Sequence, residues 1–352
     1  MGEPVYRYLG ARTALWRAVV GGVVAMVVLA LVPVVASPFQ LLFATELLIL
    51  CLFALAFNLL FGITGLLSFG HAAYFGVGGY LAALALVHGW TGLLGALVLG
   101  MTGAALAGLV IGYFCVRLNE IYFAMLTLAF GQMLYVIAWQ WNEVTGGSDG
   151  LVGVPRPPLR LLGLTLLLDT DLAFYYLVAT VVLVATLLLW GIATSPFGLI
   201  LRAIREKPER AEFVGIPVHR CRLATFVVSA AFSGLAGALV VPFGRTATPE
   251  MLFWTKSVEP VMMSLLGGAQ VFLGPALGVL VYVWLKEWIS SRLVDYWMLV
   301  MGLIVVGCVL FFRGGISGVL VTWWLARSAR RMSYASARDT QVDQVVRPDG
   351  GR

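Results

Sequence analysis

Long apolar segments recur along most of this chain, and they constrain its fold more than any other feature. A helix needs roughly 20 apolar residues to cross a bilayer, and fewer where its ends are buried in protein. Segments near this length lie at about 15–35, 41–61, 72–88, 92–116, 121–141, 172–193, 222–242, 273–290 and 295–312. Only 11% of the residues are charged, whereas soluble proteins are about a quarter charged. The sequence therefore predicts an all-α polytopic membrane protein in a lipid bilayer.

Basic residues at both ends of the chain predict its orientation, because Lys and Arg accumulate on the cytoplasmic side of membrane proteins. The arginines in question are Arg7, Arg12, Arg17, Arg313, Arg327, Arg330, Arg331 and Arg338. The net charge of +6 is explained by such topology signals, so we expect no nucleic-acid partner.

Two cytoplasmic ends require an even number of crossings. The short, glycine-ended segment 258–270 would supply the tenth. We expect about ten transmembrane helices with broken or short segments. Eight crossings with re-entrant segments is the open alternative.

The domain organisation follows from these segments. Residues 1–326 are predicted to form one transmembrane domain, and the polar residues 327–352 a disordered cytoplasmic tail. The basic start of the chain is also typical of a secretory leader. Because the first apolar run is long enough to span a bilayer and further spans follow, we expect an uncleaved first span.

A polar interruption at 195–222 separates the long apolar segments on either side of it. Six basic residues and three glutamates lie in it, namely Arg202, Arg205, Lys207, Arg210, Arg220, Arg222, Glu206, Glu209 and Glu212. Ser195-Pro196 can open a helix, Pro208 can start another, and Gly215 suits a left-handed cap. These signals predict short amphipathic helices at the cytoplasmic face. They could lie on lipid headgroups or enter a groove of a soluble partner, and the mixed charges favour the partner.

Glycine-punctuated stretches interrupt two apolar segments, at 58–80 and 264–278. Irregular backbone at membrane depth requires protein or a water-filled cavity around it. Residues 58–80 are therefore either a pathway-lining broken helix or a short loop with tight glycine packing. A single His such as His71 is more often a packing residue than a ligand or proton carrier. The candidate pathway residues are Asn58, Ser68, His71, Tyr74 and Thr127.

The outer loop 142–171 lacks a basic excess, which agrees with a position opposite the 195–222 loop. Its glycines and prolines predict a rigid, turn-rich segment. This loop could dock an external partner or shape the mouth of a pathway, or it could be an ordinary ordered connector.

Motifs for catalysis and cofactor binding are absent from the sequence. It contains no phosphate-binding GxxxxGK[ST] motif, no nucleophile elbow and no HExxH. Its cysteines form no metal-binding pattern. We therefore expect no enzyme activity, no catalytic residue, no metal and no cofactor.

The charged residues of the apolar segments, Glu259 and Lys286 among them, are expected near segment ends. Proton-driven carriers usually need such a group near the middle of the bilayer. The sequence therefore argues against a proton-coupled carrier and fits a pathway for a neutral or zwitterionic solute.

Three stretches of sequence resemble the permease subunits of bacterial ABC importers for branched-chain amino acids, of the LivM type. They are NLLFGITGLLSFGHAAYFGVGGYLAAL at 58–84, YFAMLTLAFGQMLYVIAWQWNEVTGGSDGL at 122–151 and SPFGLILRAIREKPERAEFVGIPVHRCRLATFVVSAAFSGLAGAL at 195–239. A GG-x5-GP-x2-G pattern follows at 267–278. The similarity extends from about residue 40 to residue 312.

The resemblance implies a permease in the bacterial inner membrane that pairs with a homologous permease. Two cytoplasmic ATP-binding subunits and a periplasmic substrate-binding protein would complete the importer. It also implies that residues 202–215 are the segment that couples the permease to the ATPase. The coupling residues would be Arg202, Ala203, Arg205, Glu206, Glu209, Arg210, Ala211, Glu212 and Gly215.

The chain departs from the family pattern in this segment. Pro208 stands where the family has an acidic residue, Arg210 and Phe213 replace small residues, and Leu199-Ile200 replaces a more basic pair. The docking mode should survive these changes, which leave open whether the cognate ATPase differs from that of other family members.

The substrates that the resemblance implies are branched-chain or related neutral amino acids. Urea or short amides are an alternative within the family. A self-sufficient secondary transporter is the alternative from another class.

Overall fold

A computed structural model describes residues 37–161, 164–166, 170–293, 296–311 and 314–318, together with Met26, Leu29, Ala30 and Pro33. The first predicted span, 15–35, lies almost entirely outside the described residues, and the tail 327–352 lies wholly outside them.

Helices dominate the described part of the chain. Those before the polar interruption are α1 (Pro38–Asn58), α2 (His71–Val87), α3 (Leu93–Cys115), α4 (Glu120–Gln140), α5 (Asn142–Thr145) and α6 (Asp171–Thr194). The interruption forms α7 (Pro196–Glu206) and α8 (Pro208–Phe213). Those after it are α9 (Val218–Gly244), α10 (Trp254–Gly267), α11 (Gly274–Ser290) and α12 (Trp297–Phe311). Each apolar segment predicted after residue 40 thus corresponds to a helix.

Five helical segments are long and apolar enough to cross a membrane among the described residues. They are Pro38–Thr64, Leu93–Cys115, Glu120–Gln140, Asp171–Thr194 and Val218–Gly244. Two shorter apolar helices are His71–Val87 and Trp297–Cys308. The arrangement is that of a helical membrane protein, and the total of about ten crossings stays a prediction.

The described residues are not entirely helical, because short strands occur in the connecting segments. β1 (Leu151–Val152) pairs antiparallel with β4 (Thr246–Ala247), and β2 (Leu159–Leu161) pairs with β3 (Leu164–Leu166). Extended connectors pair in this way because their backbone groups need hydrogen-bond partners.

Contacts between distant segments define two ends of the bundle. At the end that we call the lower end, α7 lies against the turn that ends α1, and His219 at the start of α9 contacts Val116 after α3. At the opposite, upper end, β1 pairs with β4. Helix α10 descends from near the upper strands until Ala269 lies beside Gly62, and α11 returns antiparallel to it.

Glycines allow the backbones of α2, α3 and α9 to touch. A Cβ atom built at Gly78 would collide with the backbone of Gly234, and one at Gly100 of α3 would approach the Gly78 carbonyl oxygen within 2.6 Å. Small residues permit this close approach in membrane helices. The three helices therefore form the tightly packed centre of the subunit.

The connector after α5 is ordered by Arg156. Its guanidinium donates to the carbonyls of Pro242 and Phe243, at 2.6 and 2.9 Å, and pairs with Asp171 at 2.8 Å. It also stacks over the Phe174 ring, 4.6 Å from the centroid. These contacts cap the last carbonyls of α9, which lack partners within the helix.

Candidate functional site

A break in the helical backbone follows α1 at the lower end. Residues Leu59–Thr64 continue α1 as a widened π-helical turn, and Gly65 ends it with a φ of 85°. Residues 65–68 are not helical, and α2 begins at His71. Such π-turns are rare and recur at functional sites. The structure thus confirms that 58–80 is interrupted, as the glycines and polar residues indicated.

The polar interruption folds into two short helices. Ser195 caps α7 by accepting a hydrogen bond from the Gly198 amide, and Pro196 occupies the first turn. Pro208 starts α8, and Gly215 has a φ of 88° after it. The helix starts and the left-handed cap that the sequence predicted are therefore all present.

A small apolar cluster holds the two helices in place. Ile204 of α7, Ala211 of α8 and Val218 at the start of α9 pack together. The pair of helices is thus fixed against α9 as well as against the end of α6.

Arg205 connects this helix pair to the broken helix. Its guanidinium donates a hydrogen bond to the backbone carbonyl of Gly62, in the π-turn. The aliphatic stem of Arg205 covers Gly65, where a Cβ atom would approach Arg205 Cγ within 2.9 Å. A cation at the carboxyl end of a helix is also favoured by the helix dipole. Arg205 therefore links the lower surface of the bundle directly to the broken helix in its interior.

The predicted coupling residues differ in their exposure, and only the exposed ones could contact a partner protein. Ala211 is 5% exposed, and Arg202 donates to the Ala193 carbonyl at 3.3 Å. The coupling residues exposed at the lower surface are Ala203, Arg205, Glu206, Glu209, Arg210, Glu212 and Gly215.

An apolar tip on α8 was not among the predicted coupling residues. Phe213 and Val214 are 90% and 81% exposed, and charged residues surround them. Exposed apolar groups with a polar rim are typical of a partner-binding surface.

The predicted pathway residues lie inside the packed bundle. Asn58, Ser68, His71, Tyr74 and Thr127 are each at most 1% exposed. His71 lies between the rings of Phe57 and Tyr74, with centroids 5.3 and 5.7 Å away. The Thr127 carbonyl abuts Gly70 from α4. The structure thus groups His71 with Tyr74 around the start of α2, and Thr127 borders the loop before it.

Ser229 of α9 completes this group, and sequence reasoning missed it. Its hydroxyl donates to the Ala56 carbonyl at 2.5 Å, and its Oγ lies 3.0 Å from His71 Nε2. Because a hydroxyl has one proton, Oγ accepts the second bond from Nε2–H. The link between Ser229 and His71 has no local sequence signal, because 158 residues separate them.

Several buried polar atoms of this region have no hydrogen-bond partner within the described part of the chain. They are both amide atoms of Asn58, the hydroxyls of Ser68 and Ser233, and Nδ1 of His71. Leaving a buried polar group without a partner costs about 1–3 kcal/mol. Four of these five atoms belong to Asn58, Ser68 and His71, which lie at or next to the helix break.

A second set of polar side chains, all of them charged, lies on α10 and α11. Lys256 Nζ is 2.6 Å from Glu259, and Lys286 Nζ is 3.6 Å from the other oxygen of the same carboxylate. Lys286 lies in the last turns of α11, as expected, but the Glu259 side chain is only 14% exposed. Glu259 is therefore a largely buried carboxylate between two lysines, which the sequence did not predict.

These charges open into a cavity of about 490 Å³ between α10, α11 and α12. Methionine and aromatic side chains supply most of the lining besides the charges, which are those of Glu250, Lys256, Glu259 and Lys286. The sequence did not predict this site, because its charged residues come from two different helices and a connecting segment.

Long apolar helices, a broken helix and an amphipathic pair at one end define a multi-pass membrane protein. The family described as "Branched-chain amino acid transport system / permease component" matches residues 39–309. The chain belongs to this family.

Three relatives carry names of the same kind. The high-affinity branched-chain amino acid transport system permease proteins LivM of Escherichia coli and Salmonella typhimurium are 28% and 27% identical to the chain. These alignments cover 79% and 74% of the chain and 70% and 65% of the relatives. A probable LivM of Methanocaldococcus jannaschii is 26% identical over 55% of the chain and 56% of its own length. No solved structure gives a significant match.

Proposed function

We propose that the chain is the membrane-spanning permease subunit of an ATP-driven importer for branched-chain or related neutral amino acids. Its family membership supports this class of substrate. The hydrogen bond from Arg205 to Gly62 is the observation that carries the proposal. It joins a surface helix that a partner can push to a broken helix inside the bundle.

The exposed tip of α8 supports docking of ATP-binding subunits at the lower end. Phe213 and Val214 project from it, and Glu209, Arg210 and Glu212 are exposed around them. An apolar anchor with a charged rim suits a groove on a soluble protein. ATP binding and hydrolysis on those partners would move α7, and Arg205 would transmit the movement to the π-turn.

The remaining partners and the location belong to the same proposal. A homologous permease would form the other half of the pathway, and a periplasmic binding protein would deliver the solute at the upper end. The protein would lie in the bacterial inner membrane with both ends in the cytoplasm. The residues that would border the pathway in a more open state are Asn58, Ser68, His71, Tyr74 and Thr127.

Affinity purification of the intact chain tests the proposal. We expect it to retain an ATPase, identified by mass spectrometry, and Phe213→Asp to lose that ATPase because a carboxylate cannot enter an apolar groove. Val152→Asp is the matched control, since Val152 is 72% exposed at the upper end. A well-folded intact chain that retains no ATPase would contradict the proposal, and loss of the ATPase from both variants would contradict the assignment of the docking surface.

Reconstituted vesicles test the energy source. We expect leucine uptake only when ATP, the copurifying subunits and the substrate-binding protein are all present, and no competition by urea or acetamide. Uptake by the chain alone without ATP would establish a secondary carrier and overturn the proposal.

A further inference from the structure

The cavity between α10, α11 and α12 combines both signs of charge with an apolar wall. Lys256 and Lys286 share one carboxylate, that of Glu259, at 2.6 and 3.6 Å. Two ammonium groups against one carboxylate leave a local excess of positive charge, which favours an additional anionic oxygen. The cavity therefore has one region suited to the carboxylate of a ligand.

Glu250 supplies the complementary charge. It lines the same cavity and belongs to the short helical segment Pro249–Leu252, not to α10 or α11. Among the described residues that line the cavity, its carboxylate brings the charged side chains to a net charge of zero. A ligand with one positive and one negative group would leave that balance unchanged.

The apolar lining fits an aliphatic side chain. Met262, Met298 and Met301 contribute flexible thioethers, and Trp254 and Trp297 contribute aromatic faces. Methionines adapt to ligands of differing shape, and cavities of about 300–1,000 Å³ are typical of small-molecule sites. This cavity, at about 490 Å³, lies within that range.

The cavity is also connected to the helix break. Ser257, next to Lys256, accepts a hydrogen bond from the Ala72 amide at 2.8 Å and so caps the start of α2 beside His71. Lys256 Nζ lies 5.8 Å from the centroid of the Phe75 ring on α2. A ligand that moves the first turn of α10 would therefore act on α2.

We propose that this cavity binds an aliphatic amino acid as a zwitterion. Its carboxylate faces Lys256 and Lys286, its ammonium faces Glu250, and its side chain contacts the methionines. This inference rests on the proposed function and adds the location of a binding site within the permease.

Cysteine protection tests the site directly. The full-length chain, with the partner subunits that copurify, is placed in lipid nanodiscs as Thr255→Cys and treated with N-ethylmaleimide. Thr255 lines the cavity and is exposed. Peptide mass spectrometry measures labelling at position 255 separately from labelling of the native cysteines, which are Cys51, Cys115, Cys221 and Cys308.

Ligands that lack one charge provide the comparison. Millimolar leucine should slow labelling at position 255, whereas 4-methylpentanoate and isoamylamine should not, because each has only one of the two charged groups. Ser148→Cys is the control. Ser148 is exposed in the connector after α5 and is not among the residues that line the cavity, so leucine should not slow labelling there.

Charge variants in the Thr255→Cys background test the contact of the ligand's carboxylate and the contact of its ammonium group separately. Lys286→Met and Glu250→Gln should each raise the leucine concentration needed for protection by about tenfold or more, as loss of a charged contact predicts. Glu287→Gln is the matched control, since Glu287 is exposed and outside this cavity. If Lys286→Met fails to fold, Glu250→Gln still decides the question.

The outcomes distinguish the two proposals. Equal labelling of position 255 with and without leucine would overturn the cavity assignment, and so would protection by both analogues. If leucine enters vesicles with ATP but does not protect position 255, the importer proposal stands and the cavity assignment falls. If leucine protects position 255 but ATP drives no uptake, the importer proposal falls.

Discussion

The guanidinium of Arg205 donates a hydrogen bond to the backbone carbonyl of Gly62, a residue 143 positions earlier in the chain. This bond connects α7 with the π-helical turn at the end of α1. A charged donor and a backbone acceptor form a stronger contact than a neutral pair, worth about 1.5–3 kcal/mol.

Replacing Arg205 should separate partner binding from transport. We expect Arg205→Gln to retain the ATPase in affinity purification, because Phe213 and Val214 are unchanged. It should reduce ATP-driven leucine uptake by about tenfold, in line with the loss of a charged hydrogen bond. Arg220→Gln is the control, because Arg220 is an exposed arginine on α9 outside the coupling residues, and it should leave uptake unchanged. Normal uptake by Arg205→Gln would exclude a transmitting role for the bond.

Removing Arg156 should destabilise the upper end. Arg156→Ala leaves the carbonyls of Pro242 and Phe243 without their donor, which should lower the free energy of unfolding by about 1.5–3 kcal/mol. Asp171→Asn is the control, because the Asp171 side chain is 53% exposed and exposed ion pairs contribute little. Thermal denaturation in detergent measures both, and equal melting temperatures for the two variants would contradict the prediction.

Adding one methyl group between α2 and α9 should be costly. A Cβ atom at Gly78 meets the backbone of Gly234, so Gly78→Ala must push the helices apart and should destabilise the protein by about 1–3 kcal/mol. Gly191→Ala on α6 is the matched control, because no atom lies within 4 Å of the position that its new Cβ atom would occupy. Thermal denaturation should show a loss of stability for Gly78→Ala alone.

Two serines one turn apart on α9 should respond differently to alanine. Ser229→Ala removes the bonds to Ala56 and His71 and should cost about 1–3 kcal/mol. Ser233→Ala removes a buried hydroxyl that has no partner among the described residues, so it should be neutral or stabilising. The same melting experiment compares them, and a larger loss for Ser233→Ala would show that the hydrogen-bond assignment is wrong.

The sequence predicted the helices well because length and apolar composition are sufficient to identify a helix that can span a bilayer. It also predicted the starts of α7 and α8 and the cap that follows them, since Ser195, Pro208 and Gly215 act locally. It could not predict the bond from Arg205 to Gly62 or the pair His71–Ser229, because chain topology brings these residues together.

The charged cavity shows the limit of analysing segments one at a time. Glu259 and Lys286 were each expected at the end of a different span. The hairpin turn between α10 and α11 places them beside one another, with the Glu259 carboxylate largely buried. Their partnership depends on tertiary packing, and periodicity contains no information about it.

The backbone contacts among α2, α3 and α9 restrict how the subunit can move. Helices separated by side chains can slide by exchanging rotamers, but helices whose backbones touch at Gly78, Gly100 and Gly234 have no side chains to rearrange there. We therefore expect those three helices to move as one rigid body. Any hinge or shear within the subunit falls at its borders, where the loop 65–70 and the α10–α11 hairpin meet it.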